Sequence, residues 1–267
     1  MKNQFRNIIA ILFITAFVTS CSEDLNPVVK RLTSISINKG GKYTITYGSN
    51  GAVEEIQAFY SDDLNTDIIN YTFDWSSDKH ELTVTADRGD NDLIISTFYY
   101  LDVLVNGNPK TVVYKVIFDD EGDGGKLLLI SYNSAPGESI PSIIEGLHYK
   151  MGDESEWGDA TWTETTNKIT LGYTTNSEVI EINFNNTVDA WWTKLPAEIP
   201  AVLFENEFHD QFYYPYFLSL KEVTSIVNTY GVKDTPDYNG TFQYQYDSDG
   251  NISSIKTNDN TLNFVWQ

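Results

Sequence analysis

The sequence predicts an all-β protein: a large, curled, antiparallel sheet, half-barrel-like, built from repeated hairpins and carrying one short helix. The first observation is a period-two alternation of apolar and polar residues, as in Tyr43, Ile45 and Tyr47. Such alternation is typical of strands with one buried and one solvent-exposed face, and a sheet with a solvent-exposed face is typically antiparallel. The second is a set of dipeptides that tolerate positive φ and close hairpins, namely Asn50-Gly51, Asn106-Gly107 and Asp249-Gly250.

The third observation is a hairpin motif that repeats along the chain. An aromatic–x–aliphatic or aromatic–x–Tyr strand is followed by Asn-Gly or Asp-Gly and then by two spaced aliphatic residues. Clear copies span residues 43–56 and 242–255, a looser copy spans 169–182, and a degenerate copy begins at Tyr71. A lone hairpin is marginally stable in water, so the copies must share one hydrophobic face. A sheet this long is expected to twist and curl.

The single helix is predicted near residues 219–230. Ser219 and Glu222 have the spacing of a capping box, and Gly231 occupies the position of a helix C′ residue. Apolar residues follow at helical spacing between them: Val223, Ile226, Val227 and Tyr230. The preceding stretch 187–217 contains three prolines and is predicted to be a long, irregular, aromatic crossover that either plugs an open end of the sheet or lines a pocket.

The N-terminus reads as an export and lipidation signal. Lys2 and Arg6 precede an uncharged apolar run of 11 residues from Ile8 to Val18. That run spans roughly 16 Å as a helix, too short for a hydrocarbon core of ~30 Å, so a secretory signal over residues 1–20 is favoured. Val18-Thr19-Ser20-Cys21 resembles a bacterial lipobox, which implies lipidation of Cys21, the only cysteine. The acidic Ser22-Glu23-Asp24 fits either a surface-export signal or a plain spacer.

These features predict a lipidated tether over residues 21–31 and a single β domain over 32–267. The chain carries 17 Lys and Arg against 38 Asp and Glu, for a net charge of −21. Removal of residues 1–20 takes away two basic residues and gives 15 − 38 = −23. Such a charge argues against nucleic acid as a partner and against a basic membrane-binding patch. Acyl chains on Cys21 are therefore expected to hold an outer-membrane lipoprotein.

The search for catalytic signatures favours a protein that is not an enzyme. The sequence contains no Gly-x-Ser-x-Gly, no His-Glu-x-x-His and no phosphate-binding loop. The acidic stretch 119–124 lacks the bidentate Glu that an EF-hand needs at its twelfth position, so it and Asp247–Gly250 are read as turns without a metal. A glycan hydrolase remains a third possibility, which would need two carboxyl groups facing each other across a cleft.

The aromatic excess instead favours non-catalytic binding of a small hydrophobic or aromatic-ring ligand. The chain has 14 Phe, 17 Tyr and 6 Trp, a content that also excludes a disordered chain. The candidate contacts are Trp191, Trp192, His209, Phe212, Tyr213 and Tyr214, with His148 and Met151 behind them. The alternative function is a structural or adhesive surface module that binds protein or glycan and has no cavity. Simple core packing is the competing interpretation for each aromatic side chain.

The hairpin at residues 242–256, with its Tyr246-Asp247-x-Asp249-Gly250 turn, is similar to the hairpins of YD-repeat-like proteins. Read with the lipobox, the mature chain resembles an uncharacterised family of Bacteroides-type lipoproteins. That resemblance implies a curled antiparallel sheet, no catalytic residues and a porphyrin-like ligand as one candidate, while the cofactor itself is left open. It rests on two hairpins, and residues 120–165 match nothing in it.

Overall fold

A computed structural model describes residues 30–38, 41–61, 66–89, 92–105, 107–119, 126–140, 143–151, 158–173, 179–205, 219–229, 238–258 and 260–267. The chain divides into two units, Met1–Arg31 with Gln267 and Leu32–Trp266. All the elements that follow belong to the second unit. Among the residues described, no helix is both long and apolar enough to cross a membrane.

The described part of the chain is dominated by seventeen strands. In chain order they are β1 Leu32–Ile37, β2 Gly41–Tyr47, β3 Val53–Ser61, β4 Thr66–Trp75, β5 Glu81–Asp87, β6 Leu93–Val105, β7 Asn108–Asp119, β8 Lys126–Asn133, β9 Ile143–Met151, β10 Gly158–Glu164, β11 Lys168–Tyr173, β12 Val179–Asp189, β13 Lys221–Thr229, β14 Tyr238–Thr241, β15 Gln243–Tyr246, β16 Ile252–Lys256 and β17 Thr261–Trp266. One α-helix, α1, spans Glu198–Glu205, and a 3₁₀ helix spans Trp191–Lys194.

The strands form one antiparallel sheet in which neighbours in sequence are neighbours in space. β1 pairs with β2 on one side and with β17 on the other, so the first and last strands lie together. The ladder changes partner at Phe242: β14 pairs with β13, β15 pairs with β16, and the Phe242 N–H donates to the Thr224 carbonyl at 3.0 Å. The sheet is therefore curled and its ladder is interrupted at this point. The prediction of an all-β, curled antiparallel fold is confirmed.

The two clear copies of the repeated motif are hairpins with the same local geometry. In β2–β3 a bulge lies between Thr46 and Tyr47, and in β15–β16 a bulge lies at the equivalent place, between Gln245 and Tyr246. The turns contain Gly51 at φ 83° and Gly250 at φ 81°, the left-handed region that glycine adopts without strain. Equivalent backbone hydrogen bonds close both turns: Gly48 N–H to Ala52 O, Gly51 N–H to Gly48 O, Asp247 N–H to Asn251 O and Gly250 N–H to Asp247 O.

The degenerate copy differs by one residue in its turn. β4 and β5 pair Trp75 with Leu82, and the Ser76 N–H donates to the Glu81 carbonyl, one residue further on than in the clear copies. Lys79 takes the left-handed position at φ 62°, where the other turns place glycine. The looser copy forms β11–β12, with Ile169 opposite Ile182. All four copies of the motif are therefore hairpins of one sheet.

The helix predicted near 219–230 is wrong, because Lys221–Thr229 is strand β13. Ser225 pairs with Asn183 and Val223 pairs with Phe184, so Thr224 is an extra, bulged residue. A bulge adds one residue to the two-residue period of a strand. It therefore places the buried residues Val223 and Ile226 three positions apart, a spacing that is otherwise typical of a helix.

The supposed capping box at the start of this segment is a different local structure. The Ser219 hydroxyl accepts from the Lys221 N–H at 3.2 Å and lies 3.0 Å from the Lys221 carbonyl, two residues on rather than three. The Glu222 carboxylate, which would complete a capping box, accepts from the Tyr246 hydroxyl of β15 instead. Both side chains therefore fix the start of a strand. Its run of β-branched residues also favours extended backbone.

Candidate functional site

The described first part of the crossover between β12 and β13, residues 190–205, packs against the inner face of the sheet. Helix α1, in the sequence Glu198-Ile199-Pro200-Ala201-Val202-Leu203-Phe204-Glu205, carries its proline in the first turn, where a missing N–H costs nothing. Its apolar side chains face the inner side of β1–β3. The space between the two surfaces has no room for a water molecule and is lined by Ile35, Tyr43, Ile45, Ile56, Ile199, Val202 and Leu203. We call the 3₁₀ helix Trp191–Lys194 and helix α1 together the plug, because they fill this part of the inner face of the sheet.

The 3₁₀ helix anchors the start of the plug. Trp191 is buried, and its ring packs edge-on against Phe264 of β17, with ring centroids 4.9 Å apart at 67°. Thr193 supports the turn, since its hydroxyl donates to the Ala190 carbonyl at 2.7 Å. Trp192 is half-buried and packs against the same core cluster. The two tryptophans predicted as ligand contacts therefore lie together, and their packing role is evident.

A polar cluster lies where α1 meets β4 and β6. Glu198, at the first position of α1, is only 6% exposed, and its Oε1 accepts a 2.7 Å hydrogen bond from the indole Nε1 of Trp75. The Trp75 ring lies 5.5 Å from the ring of Tyr100, which is also buried. Lys79 Nζ stands 5.6 Å from the centroid of the Trp75 ring. The helix N-terminus favours the negative charge of Glu198 at this position.

Burial raises the pKa of the Tyr100 phenol well above its ordinary value, and the nearby Glu198 carboxylate raises it further. Both effects penalise a second negative charge in a site that excludes water. Tyr100 is therefore a neutral phenol across the physiological range. The cluster consists of a carboxylate, an indole N–H and a phenol, which can bind and orient a polar group but do not form a nucleophile–base pair.

Aromatic side chains elsewhere in the sheet donate to carbonyl groups of other strands. The Tyr47 hydroxyl donates to the Leu32 carbonyl at 2.9 Å and the Tyr244 hydroxyl to the Val223 carbonyl at 2.6 Å. The indole of Trp266 donates to the Ile252 carbonyl at 2.7 Å. A buried or half-buried Tyr or Trp needs such a partner for its polar tip. These aromatic residues therefore hold adjacent strands together.

The other predicted contacts are placed only in part. His148 and Met151 belong to β9, where His148 pairs with Leu129 of β8 and Met151 with Lys126. Their side chains lie outside the described part of the structure. His209, Phe212, Tyr213 and Tyr214 also lie outside the described residues. A ligand role for these six residues stays a prediction.

Within the described ranges, no group of three or more His, Cys, Asp and Glu side chains could hold a metal ion. His80 lies 4.0 Å from the carboxylates of both Asp78 and Asp102. All three side chains are about half exposed or more. Hydrogen bonds from Ser76 and from the His80 backbone lower the pKa of Asp78. This group is a solvated surface cluster at the β4–β5 turn.

Comparison with known proteins identifies the fold alone. No family model matches the chain, and no curated protein matches it. Among solved structures, a porin-like protein from Bacteroides uniformis has a TM-score of 0.51 at 12% identity, over 88% of this chain and 98% of that chain. A porin-like protein from Bacteroides vulgatus has a TM-score of 0.45 at 10% identity, over 89% of this chain and 99% of that chain. The chain thus shares the fold of the first protein.

Sequence reasoning missed the polar half of this site. Trp75 ends the first strand of the degenerate hairpin that begins at Tyr71, but nothing in the pattern connects it with Glu198, 123 residues later. Tyr100 was visible only as part of the long apolar strand β6. The sequence signal for this polar cluster was Glu198, the acidic residue directly before the apolar run Ile199–Leu203.

Proposed function

We propose that the protein is an outer-membrane lipoprotein that binds a small hydrophobic or aromatic-ring ligand, such as a porphyrin, without catalysing a reaction. The observation that carries the proposal is the collection of aromatic side chains at the plug. Trp75 and Tyr100 pack together beside Glu198 of α1, and Trp191 and Trp192 form the 3₁₀ helix that precedes α1 in the sequence. A largely apolar site with a few well-placed polar groups is typical of small-molecule binding.

Helix α1 fills the inner surface of β1–β3, which restricts where such a ligand would lie. Because α1 occupies the space against β1–β3, the ligand would contact the half-buried Trp192 of the 3₁₀ helix and the half-buried Trp75 beside the first residue of α1. The aromatic stretch 208–217 joins the plug to β13 in the sequence and would supply the remaining contacts. Lys79, close to the Trp75 ring, would favour a ligand that carries a carboxylate.

The cellular part of the proposal rests on the N-terminal sequence. The signal over residues 1–20 and the lipobox at Cys21 imply export and lipidation, and the YD-repeat-like hairpins support kinship with Bacteroides-type lipoproteins. The porin-like description of the fold neighbours agrees with an envelope location. A Cys21→Ser variant expressed in the native host should lose the added acyl mass and membrane retention. Retention of that mass would contradict lipidation at this residue.

Native mass spectrometry of the mature protein, purified from its own envelope, tests the ligand. We expect a reproducible additional mass, whose absorption spectrum would then identify or exclude a porphyrin. Trp192→Leu should weaken retention about tenfold, whereas the matched control Trp266→Leu, which removes a half-buried tryptophan elsewhere in the sheet, should retain the ligand. A bare mass after haemin and lipid extract have been offered would refute ligand binding.

The second candidate is a structural or adhesive surface module that binds protein or glycan. The observation that favours it is the space under α1, which does not admit even a water molecule. This function predicts capture of envelope glycans or proteins by the intact protein, with no small-molecule mass in the native spectrum. A small molecule in the native spectrum, together with no capture of a glycan or protein, would exclude this second function.

A further inference from the structure

The outer face of the sheet changes character between β5 and β6. On β5 the buried residues Leu82, Val84 and Ala86 define the inner face. Residues directly opposite each other in an antiparallel pair share a face. The outer residues of β2 and β5 are therefore polar, and they are Lys42, Thr44, Thr46, Glu81, Thr83, Thr85 and Asp87.

Strands β6 to β8 instead carry apolar residues on the outer face. Leu93 lies opposite Asp87 and Ile95 opposite Thr85, while Ile117 of β7 lies opposite Thr97. We call the apolar and aromatic members of this surface the outer wall. They are Leu93, Ile95, Tyr99, Ile117 and Leu129.

The outer wall is accessible to solvent in the described structure. Leu93 is 48% exposed and Ile95 is 40% exposed, and the other three side chains are half-buried. Val112, which lies further along this face opposite Leu101, is buried, so the exposed wall ends before it. The inner face of the same strand is also apolar, with Phe98 buried and Ile94 packed against the core. Strands that are apolar on both faces are typical of sheets covered on both sides. Exposed apolar side chains grouped on one face of a sheet are typical of an interaction surface.

The chemistry within the wall favours a lipid surface as the occupant. The rings of Tyr99 and Tyr114 lie 6.3 Å apart, and Lys115 Nζ lies 4.5 Å from the centroid of the Tyr99 ring. Tyrosine and lysine both combine an apolar body with a polar tip, which suits the boundary between headgroups and acyl chains. A second copy of the chain is disfavoured, because each mature copy carries a net charge of 15 − 38 = −23.

The length of chain before β1 permits this contact. Eleven residues lead from Cys21 to Leu32, which span at most about 36–40 Å. Five strand spacings of ~4.8 Å separate β1 from β6, or about 24 Å along the sheet. Acyl chains on Cys21 would therefore hold the wall within reach of the membrane and raise its effective concentration there. This step rests on the proposed lipidation.

We propose that the outer wall of β6–β8 lies against the phospholipid surface of the membrane that holds the acyl chains. Leu93 and Ile95 enter the acyl boundary, and Tyr99 and Lys115 lie at headgroup level. The wall adds a second, weak attachment to the covalent one. It orients the lipoprotein on the membrane and leaves the polar outer residues of β2 and β5 in water.

Vesicle flotation of residues 22–267, which contain the whole compact unit Leu32–Trp266 but no lipid anchor, tests the wall alone. The probe is zwitterionic phosphatidylcholine vesicles at moderate salt, since anionic vesicles would repel the acidic chain. We expect the protein to float with the vesicles. Leu93→Asn and Ile95→Thr should each reduce the partition about fivefold, and the pair about 25-fold, because roughly half of each side chain's transfer free energy remains to be gained.

Val179→Thr is the matched control. Val179 is 38% exposed on the outer end of β12, opposite Gly172 and Thr229, and it lies outside the wall. This variant should float like the unsubstituted chain, and circular dichroism should show all variants folded. Absence of flotation, or equal flotation of the Leu93→Asn/Ile95→Thr protein, would overturn the proposal. A concentration-dependent mass in sedimentation without flotation would also overturn it, by assigning the wall to a second copy. Acyl labelling of Cys21 is read separately, so failure of lipidation is distinguishable from failure of the wall.

Discussion

Replacing Trp75 by Phe should destabilise the protein more than the loss of an indole normally does. The indole N–H of Trp75 donates to the Glu198 carboxylate at 2.7 Å, and that carboxylate is 6% exposed. Removing the donor leaves a buried charge with one partner fewer, which costs roughly 2–3 kcal/mol. Trp266→Phe is the matched control, because the Trp266 indole donates over the same 2.7 Å to a neutral carbonyl and its loss should cost about 1 kcal/mol.

Urea unfolding followed by far-ultraviolet circular dichroism measures this difference. The two variants should differ by about 1–2 kcal/mol, which corresponds to roughly 2–8 °C in Tm for a domain of this size. A double-mutant cycle isolates the pair: Glu198→Gln should make Trp75→Phe less costly by at least 1 kcal/mol, because an amide is cheaper to leave unpaired than a carboxylate. Equal losses of unfolding free energy for Trp75→Phe and Trp266→Phe, with no coupling to Glu198, would refute the conclusion that this hydrogen bond holds α1 against the sheet.

Three further perturbations follow from the same structure. Gly250→Ala should cost about 1–2 kcal/mol in urea unfolding, because φ is 81° and no atom lies within 4 Å to add a steric clash. The Lys221 ammonium lowers the pKa of Asp189, so the stability gained is present above the unfolded-state pKa and is lost as pH falls through the folded value. Asp189→Asn should therefore cost below about 1 kcal/mol at pH 7, less in high salt, and nothing at pH 2. The pKa of Tyr100 is raised by burial and by Glu198, so unfolding releases a proton above pH ~10. Tyr100→Phe should make stability fall less steeply with pH in that range, and an unchanged slope would contradict the assignment.

The hairpins could be predicted from the sequence because their determinants are local. The turn at Gly51 and the turn at Gly250 need a left-handed residue, and the alternation of Tyr43 and Ile45 needs only one buried face. Both signals act over a few residues and are independent of the rest of the chain. The all-β class and the antiparallel pairing were therefore accessible without coordinates.

The error at β13 has a physical cause that sequence pattern alone does not reveal. Asn183 and Phe184 of β12 are consecutive, but their partners in β13, Ser225 and Val223, are two residues apart. Thr224 therefore has no partner in the ladder and forms the bulge. Only the partner strand determines where an extra residue enters the ladder. A buried pair at a spacing of three, as in Val223 and Ile226, then has the same appearance as a helix face. The actual helix, α1, has a proline in its first turn and a short apolar run, and these features were read as part of an irregular crossover.

The contact between Trp75 and Glu198 could not be predicted, because the two residues are 123 positions apart and meet only once the crossover has entered the sheet. Two of the eight predicted ligand residues, Trp191 and Trp192, do lie in this plug. The aromatic residues of the crossover did point to this region, but Trp191 and Trp192 lie here first of all because they pack against the core. Tryptophan buries a large area and still needs a partner for its N–H, so it is well suited to such a plug.

A curled sheet with this many strands explains why residues 190–205 of the crossover lie on its inner face. Beyond about eight strands, the space enclosed by a curved sheet exceeds what inward side chains can fill. The chain fills part of this space with the side chains of Ile199, Val202 and Leu203, packed on Ile35 and Ile56. The proposed ligand would therefore lie beside α1 and contact the half-buried Trp75 and Trp192. For the same reason a change that loosens α1, such as loss of the Trp75–Glu198 bond, should alter ligand retention as well as stability, whereas a change on the outer wall at Leu93 should alter membrane contact alone.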